Sequence, residues 1–230
     1  MADLMYIPNS SIPHGRHRVP GLINPQLDPY VPPVEITSLP THATTSGGSS
    51  ITFSHTVIAG TKQVLVVCVD WDNSGRTITS ITYDDVSMGA AIDKAGSGST
   101  GRAAIYCLVA PSVGTHDVVV TFSDTVYAAA GAVVLDNVNQ LAPYSGTQKS
   151  EVADNLTVVS ATTSLVVGCV AFWDNGANIT DDANQTSLYM EIIDGAWQGA
   201  GSIKDGAASC NIGWTYSLAY GACIATSFNN

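Results

Sequence analysis

The chain has 230 residues, 45% of them hydrophobic and only 12% charged, about half the usual charged fraction of roughly 25%. That length leaves room for one ordinary domain or two small ones once a leader, residues 1–46, is set aside. The net charge is −11, and because the leader holds Arg16 and Arg18 against Asp3, Asp28 and Glu35, the remainder is strongly acidic, which excludes nucleic acid and anionic membrane surfaces as partners.

The leader carries Pro8, Pro13, Pro20, Pro25, Pro29, Pro32, Pro33 and Pro40, leaving Pro111 and Pro143 for everything after it. Proline fixes φ near −65° and has no N–H, so this spacing predicts an extended, polyproline-like arm without hydrogen bonds of its own. Between the prolines stand apolar residues, among them Leu22, Ile23, Leu27 and Tyr30, which suits a strap laid on another protein's surface. The opening "MADLMYIPNSSIPHGRHR" lacks the charged and apolar regions of a secretory signal, and no apolar run approaches spanning length, so synthesis and folding in a cytoplasm are expected. "THATTSGGSS", residues 41–50, reads as a flexible joint.

Beyond the joint, β-branched enrichment and turn punctuation predict strands over residues 51–58, 63–71, 77–83, 103–109, 117–122, 128–135, 156–160, 165–173, 187–193, 197–203, 210–216 and 219–228. No segment has a helical period. Short strands at this spacing predict an all-β fold, an antiparallel β-sandwich of jelly-roll or Ig-like kind. "VLVVCVDWDNSG" finds a partner in "LVVGCVAFWDNG", and "VVVTFSDTVYAAAGAVVL" finds one in "NIGWTYSLAYGACIATSF". This is a weak internal repeat over residues 51–138 and 155–228. Two small sandwiches in tandem and one larger sandwich with similar halves both fit; the single sandwich, residues 47–230, is the preferred expectation.

The stretches "ITSITYDDVSM", "IYCLVAPSVGTHDVVVTFS" and "AGAVVLDNVNQLAP" resemble a β-sandwich module of tailed-phage structural proteins and of repeats in exported bacterial proteins. The resemblance implies fold and carries no catalytic residues. The layout of a proline-rich leader before a sandwich resembles the arms of phage capsid decoration, or cement, proteins.

Several motifs could carry chemistry. "DWDNSG", residues 70–75, places oxygens as in the first half of a calcium loop, but position twelve of that register is Ile81 and the closing acid is missing, so an Asx-rich turn is preferred. "GSGSTG", residues 96–101, matches GxGxxG, yet the strand-like "RAAIYCLVA" follows where a nucleotide site needs a helix, which predicts a hairpin tip. Paired acids Asp84–Asp85 and Asp181–Asp182 would point to opposite faces of a strand and so cannot flank one glycosidic bond; turns are preferred. Cys68, Cys107, Cys169, Cys210 and Cys223 are odd in number with no CxxC, which favours free thiols and leaves an inter-strand disulfide open. The histidines His14, His17, His42, His55 and His116 sit in no nucleophile frame; His14 and His17 could chelate a metal across an oligomer, although contact with a partner is preferred. Trp71, Trp173, Trp197 and Trp214, with Tyr83, Tyr106, Tyr127, Tyr189, Tyr216 and Tyr220, could form a sugar-stacking platform, against the commoner role of core filling.

The function expected is that of a non-enzymatic virion protein of a bacteriophage. It decorates the capsid surface, binds the major capsid protein through His14, Arg16, His17, Arg18, Leu22, Ile23, Leu27 and Tyr30, and forms a homo-oligomer, a dimer or trimer. No cofactor, metal or catalytic residue is expected. The alternative is a carbohydrate-binding or adhesive sandwich of a phage fibre or exported protein.

Overall fold

A computed structural model gives the fold and describes residues 30–72, 75–95, 101–150, 155–173, 179–195, 197–215 and 221–230. Among these residues there is no helix, and antiparallel sheets pack on one another. The chain divides into two compact units, Met1–Val31 and Pro32–Asn230; the second is the body.

One strand organises the first half of the body. β8 (Gly114–Asp136) is paired along almost its whole length by β2 (Thr41–Val57), residues 41–48 against 126–132 and residues 50–57 against 114–121. Between these stretches the register shifts twice around Gly48, and Gly47 takes a φ of 85° that a side chain would resist. On the other side of β8, β4 (Ile78–Tyr83) pairs residues 118–122 and β3 (Val64–Trp71) pairs residues 128–135. β5 (Val86–Ser87) follows β4 through a two-residue turn in which Asp84 and Asp85 have φ of 50° and 60°, a hairpin geometry that Asp tolerates. β7 (Arg102–Val109) and β6 (Gly89–Ala95) extend the sheet beyond β3.

The eight-stranded sheet folds over on itself at the shifted register. Ile51 and Phe53 of β2, Val118 and Val120 of β8 and Tyr83 of β4 pack in one cluster with Leu65, Val67 and Trp71 of β3 and with Ala128, Ala130 and Ala132 from the far stretch of β8. The result is a two-layered sandwich.

The second half repeats this order. β9 (Tyr144–Ser150), β16 (Gly221–Phe228), β11 (Leu165–Trp173), β14 (Trp197–Asp205) and β13 (Thr186–Ile193) follow each other as β2, β8, β3, β7 and β6 do; β10 (Asn155–Val158), β15 (Cys210–Thr215) and β12 (Thr180–Asp181) answer to β2, β8 and β4. Leu156, Val158, Ile212 and Trp214 close a second core on Val166, Val170 and Phe172. A third apolar interface joins the two sandwiches. Val64, Val66 and Cys68 of β3 and Ile105 of β7 meet Leu165, Val167 and Cys169 of β11 and Ile224 of β16. The body is therefore two sandwiches of one design stacked face to face in a single compact unit, rather than one larger sandwich with similar halves. β3 is buried at every residue and β11 at all but its last, because each has a core on both faces, and this is why both read as unbroken apolar runs without alternation.

Two expectations are corrected at the start of the body. Residues 41–50 are not a joint but the first part of β2, and β1 (Glu35–Ile36) already pairs with the end of β8. The leader thus gives way to body at Pro32, not after Ser46. Thr41, Thr44 and Thr45 are β-branched, and a pleated edge suits them despite the Ser and Gly that follow. Strands β5, β6, β9 and β12 were also not expected. Each is a short or polar edge strand, where local pattern is weakest.

The seam between the sandwiches is close enough to require glycine. A Cβ on Gly199 of β14 would collide with the carboxylate of Asp70, and one on Gly131 of β8 with the ring of Tyr189. Gly199→Ala is expected to lower the unfolding free energy in urea by roughly 1–3 kcal/mol, whereas Gly89→Ala, which meets nothing within 4 Å, should change it by less than about 0.5 kcal/mol.

Candidate functional site

The residues expected to contact a capsid are His14, Arg16, His17, Arg18, Leu22, Ile23, Leu27 and Tyr30. All but the last lie outside the described residues. Tyr30 is the first described residue, and its side chain is 82% exposed.

What the structure does define is how the body begins. A proline has only its carbonyl to satisfy, and each of the first two carbonyls receives a side-chain amide: Asn230 Nδ2 donates to Pro32 O at 3.0 Å and Asn137 Nδ2 to Pro33 O at 3.0 Å. Val34 N–H then donates to Thr163 O at 2.8 Å, and the Val34 side chain is buried in the seam core. Asn137 follows the last strand of the first sandwich, while Thr163 and Asn230 belong to the second. The start of the body is therefore pinned to both.

The next residues form a latch. Thr37 Oγ1 and Gln63 Nε2 donate to Asp136 Oδ1 at 2.9 and 2.7 Å, and Thr61 N–H donates to Asp136 Oδ2 at 3.0 Å. Val134 N–H donates to Ser38 Oγ at 2.8 Å, so the serine side chain replaces a backbone acceptor where the strand path is interrupted between β1 and β2. His55, 1% exposed, lies between Ser38 and Thr41, with Nε2 3.1 Å from Ser38 Oγ and Nδ1 2.7 Å from Thr41 Oγ1. In either neutral tautomer both contacts are made, one ring nitrogen donating to its hydroxyl neighbour and the other accepting, since Ser38 Oγ keeps a hydrogen and a second lone pair after accepting from Val134.

A serine against a histidine invites a hydrolytic reading, and an open groove of about 420 Å³ lies beside them, lined by Thr37, Ser38, Leu39, Thr41, Thr56 and Ile58. The chemistry does not support it. Burial pushes the His55 imidazole down to about 4, so it resists the proton that a general base must take up. Its second partner is a neutral hydroxyl, not a carboxylate, and Ser38 Oγ already spends a lone pair on Val134. The arrangement holds β1, β2 and β8 together as a neutral clasp.

The other motifs resolve into structural roles. Asp70 points into the seam and Asp72 accepts from Tyr127 N–H and pairs with Arg76 at 2.6 Å, so the calcium-like register has no converging oxygens from these two. Residues 96–100 lie outside the described residues; the strands flanking them, β6 and β7, are antiparallel neighbours. Asp84 and Asp85 form the β4–β5 turn, where Asp84 Oδ1 is 3.0 Å from His116 Nδ1. Asp181 lies in β12 beside Asp182, and burial pushes its carboxyl up. All five cysteines are free thiols. Trp71, Trp197 and Trp214 are core residues; only Trp173 among the tryptophans is partly open, at 48% exposure. Among the described residues no group of three or more His, Cys, Asp or Glu side chains could hold a metal ion.

The clasp, the proline anchor and the buried Asp70 were all missed by sequence reasoning. Asp70 alone left a signal, as the one charge inside "VLVVCVDW". Comparison with protein-family models, with curated proteins and with solved structures gave no match.

The clasp has a pH signature. The folded pKa of His55 lies below the unfolded value of 6.5, so the unfolded chain binds the proton first, and the stability contributed by the neutral clasp is full above pH 6.5 and declines as pH falls to about 4. The stability difference between wild type and His55→Gln should narrow over that window by up to about 3 kcal/mol, measured by urea unfolding at pH 4.5 and 7.

Proposed function

We propose that this chain is a capsid decoration protein of a tailed bacteriophage, in which the proline-rich leader binds assembled major capsid protein and the double sandwich stands on the shell as a dimer or trimer at a symmetry axis. The observation that carries this reading is how the described body begins, on an anchor made of its own residues. Its core begins with Val34, the division of the chain falls between Val31 and Pro32, and the anchor at Pro32–Val34 is attached to both sandwiches. A load on the leader would thus be shared by both halves. The leader's apolar residues, Leu22, Ile23, Leu27 and Tyr30, would fill grooves on the capsid, and His14, Arg16, His17 and Arg18 would meet acidic groups there. Prolines reduce the ordering entropy lost on docking. Selective binding to the assembled shell stabilises it by mass action, multiplied over many copies. The role is not enzymatic, and the protein would reside on the virion surface.

The carbohydrate-binding alternative depended on an aromatic platform, and Trp71, Trp197, Trp214, Tyr83 and Tyr189 are buried, while Tyr216 and Tyr220 lie outside the described residues.

Co-sedimentation with emptied phage heads separates the two. A chain beginning at Pro32 is expected to lose head binding completely while its thermal midpoint stays within about 2 °C of the full chain, since the described core begins with Val34. Retained head binding by the truncated body, or its retention on a glycan array, would favour the sugar-binding module.

A further inference from the structure

The seam between the sandwiches encloses one carboxyl group that the function above does not use. Asp70 has no exposed surface. Tyr189 Oη donates to Asp70 Oδ2 at 2.7 Å, Trp197 Nε1 to Oδ1 at 3.3 Å, and the Ala129 N–H donates as well. No cation is among these partners. The titratable groups that face it are Tyr189 and Glu191 from β13, Cys169 from β11 and Cys68 from its own strand; β14 brings only Trp197 and Gly199, and β8 brings the Ala129 backbone. Glu191 is turned outward to His42 of β2, at 2.8 Å, and the His42 ring stacks on Tyr189.

This network closes in two protonation states. With the carboxylate ionised, three donors converge on it. With the carboxyl protonated, its O–H donates to Tyr189 Oη, and the phenol hydrogen turns to Cys169 Sγ, 3.5 Å away. Neither state leaves a polar group unpartnered, so they differ chiefly in a bare negative charge held in a dry interface. Burial outweighs the three hydrogen bonds and pushes the Asp70 pKa up to about 7.

We propose that Asp70 is a proton-operated catch between the two sandwiches: protonated it holds the seam shut, and ionised it loosens it. The inference rests on the body alone and stands apart from the capsid reading. Its direction follows from linkage. An Asp in an opened seam titrates near 3.8, so the catch is fully effective below that pH, weakens as pH rises, and has lost its contribution above about 7. His55 acts in the opposite sense over nearly the same range, so the wild type by itself would show a muted slope.

The test therefore compares the full-length wild type with Asp70→Asn, which keeps the shape and removes the charge, by urea unfolding and by amide exchange of β3 and β11 from pH 4.5 to 8.5. The wild-type opening constant divided by that of the variant is expected to rise about tenfold per pH unit up to about pH 7 and then level off. A ratio constant across the range overturns the proposal. Should the variant fail to fold, the Asp70 carboxyl carbon of the wild type, followed by carbon-13 NMR, decides: a midpoint near 7 supports the catch and a midpoint below 5 overturns it.

Discussion

Burial of β3 and β11 on both faces is the constraint on which the rest of this structure depends. A single two-layered sandwich needs only one apolar face per strand, and its outer faces can stay polar. Here each half has made the outer face of its central sheet apolar as well, and that surface is covered only by the other half. Val64, Val66 and Cys68 have as their cover Val167 and Cys169, the corresponding strand of the other copy. The low charge content of the chain follows in part from this stacking, because the central strands of the two inner layers, β3, β11, β14 and β16, present almost no surface to water.

The seam also explains why the two copies are not interchangeable. Cys68 and Cys169 occupy matching positions and hydrogen-bond across the interface, Cys68 Sγ to Gly168 O at 3.8 Å and Cys169 Sγ to Val69 O at 3.6 Å. Two residues further along, the symmetry fails: the first copy has Asp70 and the second Ala171. Trp197 and Tyr189, from the second copy, supply donors to the one carboxylate, and Gly199 gives it room. A buried polar pair of this kind adds little net stability compared with apolar packing. It fixes which side of the seam is which, and it makes the interface responsive to protons.

The path from Pro32 to Val57 is tied to the body at several points. The two proline carbonyls, the buried Val34 and the Ser38–His55–Thr41 clasp form successive attachments, first to both sandwiches and then to β8. β8 itself is the longest strand and serves both layers of its sandwich. Leader, clasp and core thus lie on one continuous run of chain.

Much of this was legible without coordinates. Eleven of the sixteen described strands could be placed from β-branched runs and turn residues, the expected runs 117–122 and 128–135 both being parts of the single strand β8; the all-β class followed, and the weak repeat marked the two halves, because period and turn chemistry are local properties of the chain. The unbroken apolar runs of β3 and β11 were read as strands, but not as middle layers, since a run of buried residues is the same text whether one core covers it or two. Residues 41–50 were misread because Ser and Gly next to Thr favour a loop unless a long partner such as β8 lies alongside. What only the tertiary structure decided are the contacts across large separations in sequence: Ser38 with Val134, Pro32 with Asn230, Asp70 with Tyr189 and Trp197. A sequence specifies where strands form through the preferences of neighbouring residues; which side chains meet in a dry interface is set by how four layers stack, and no local pattern encodes that.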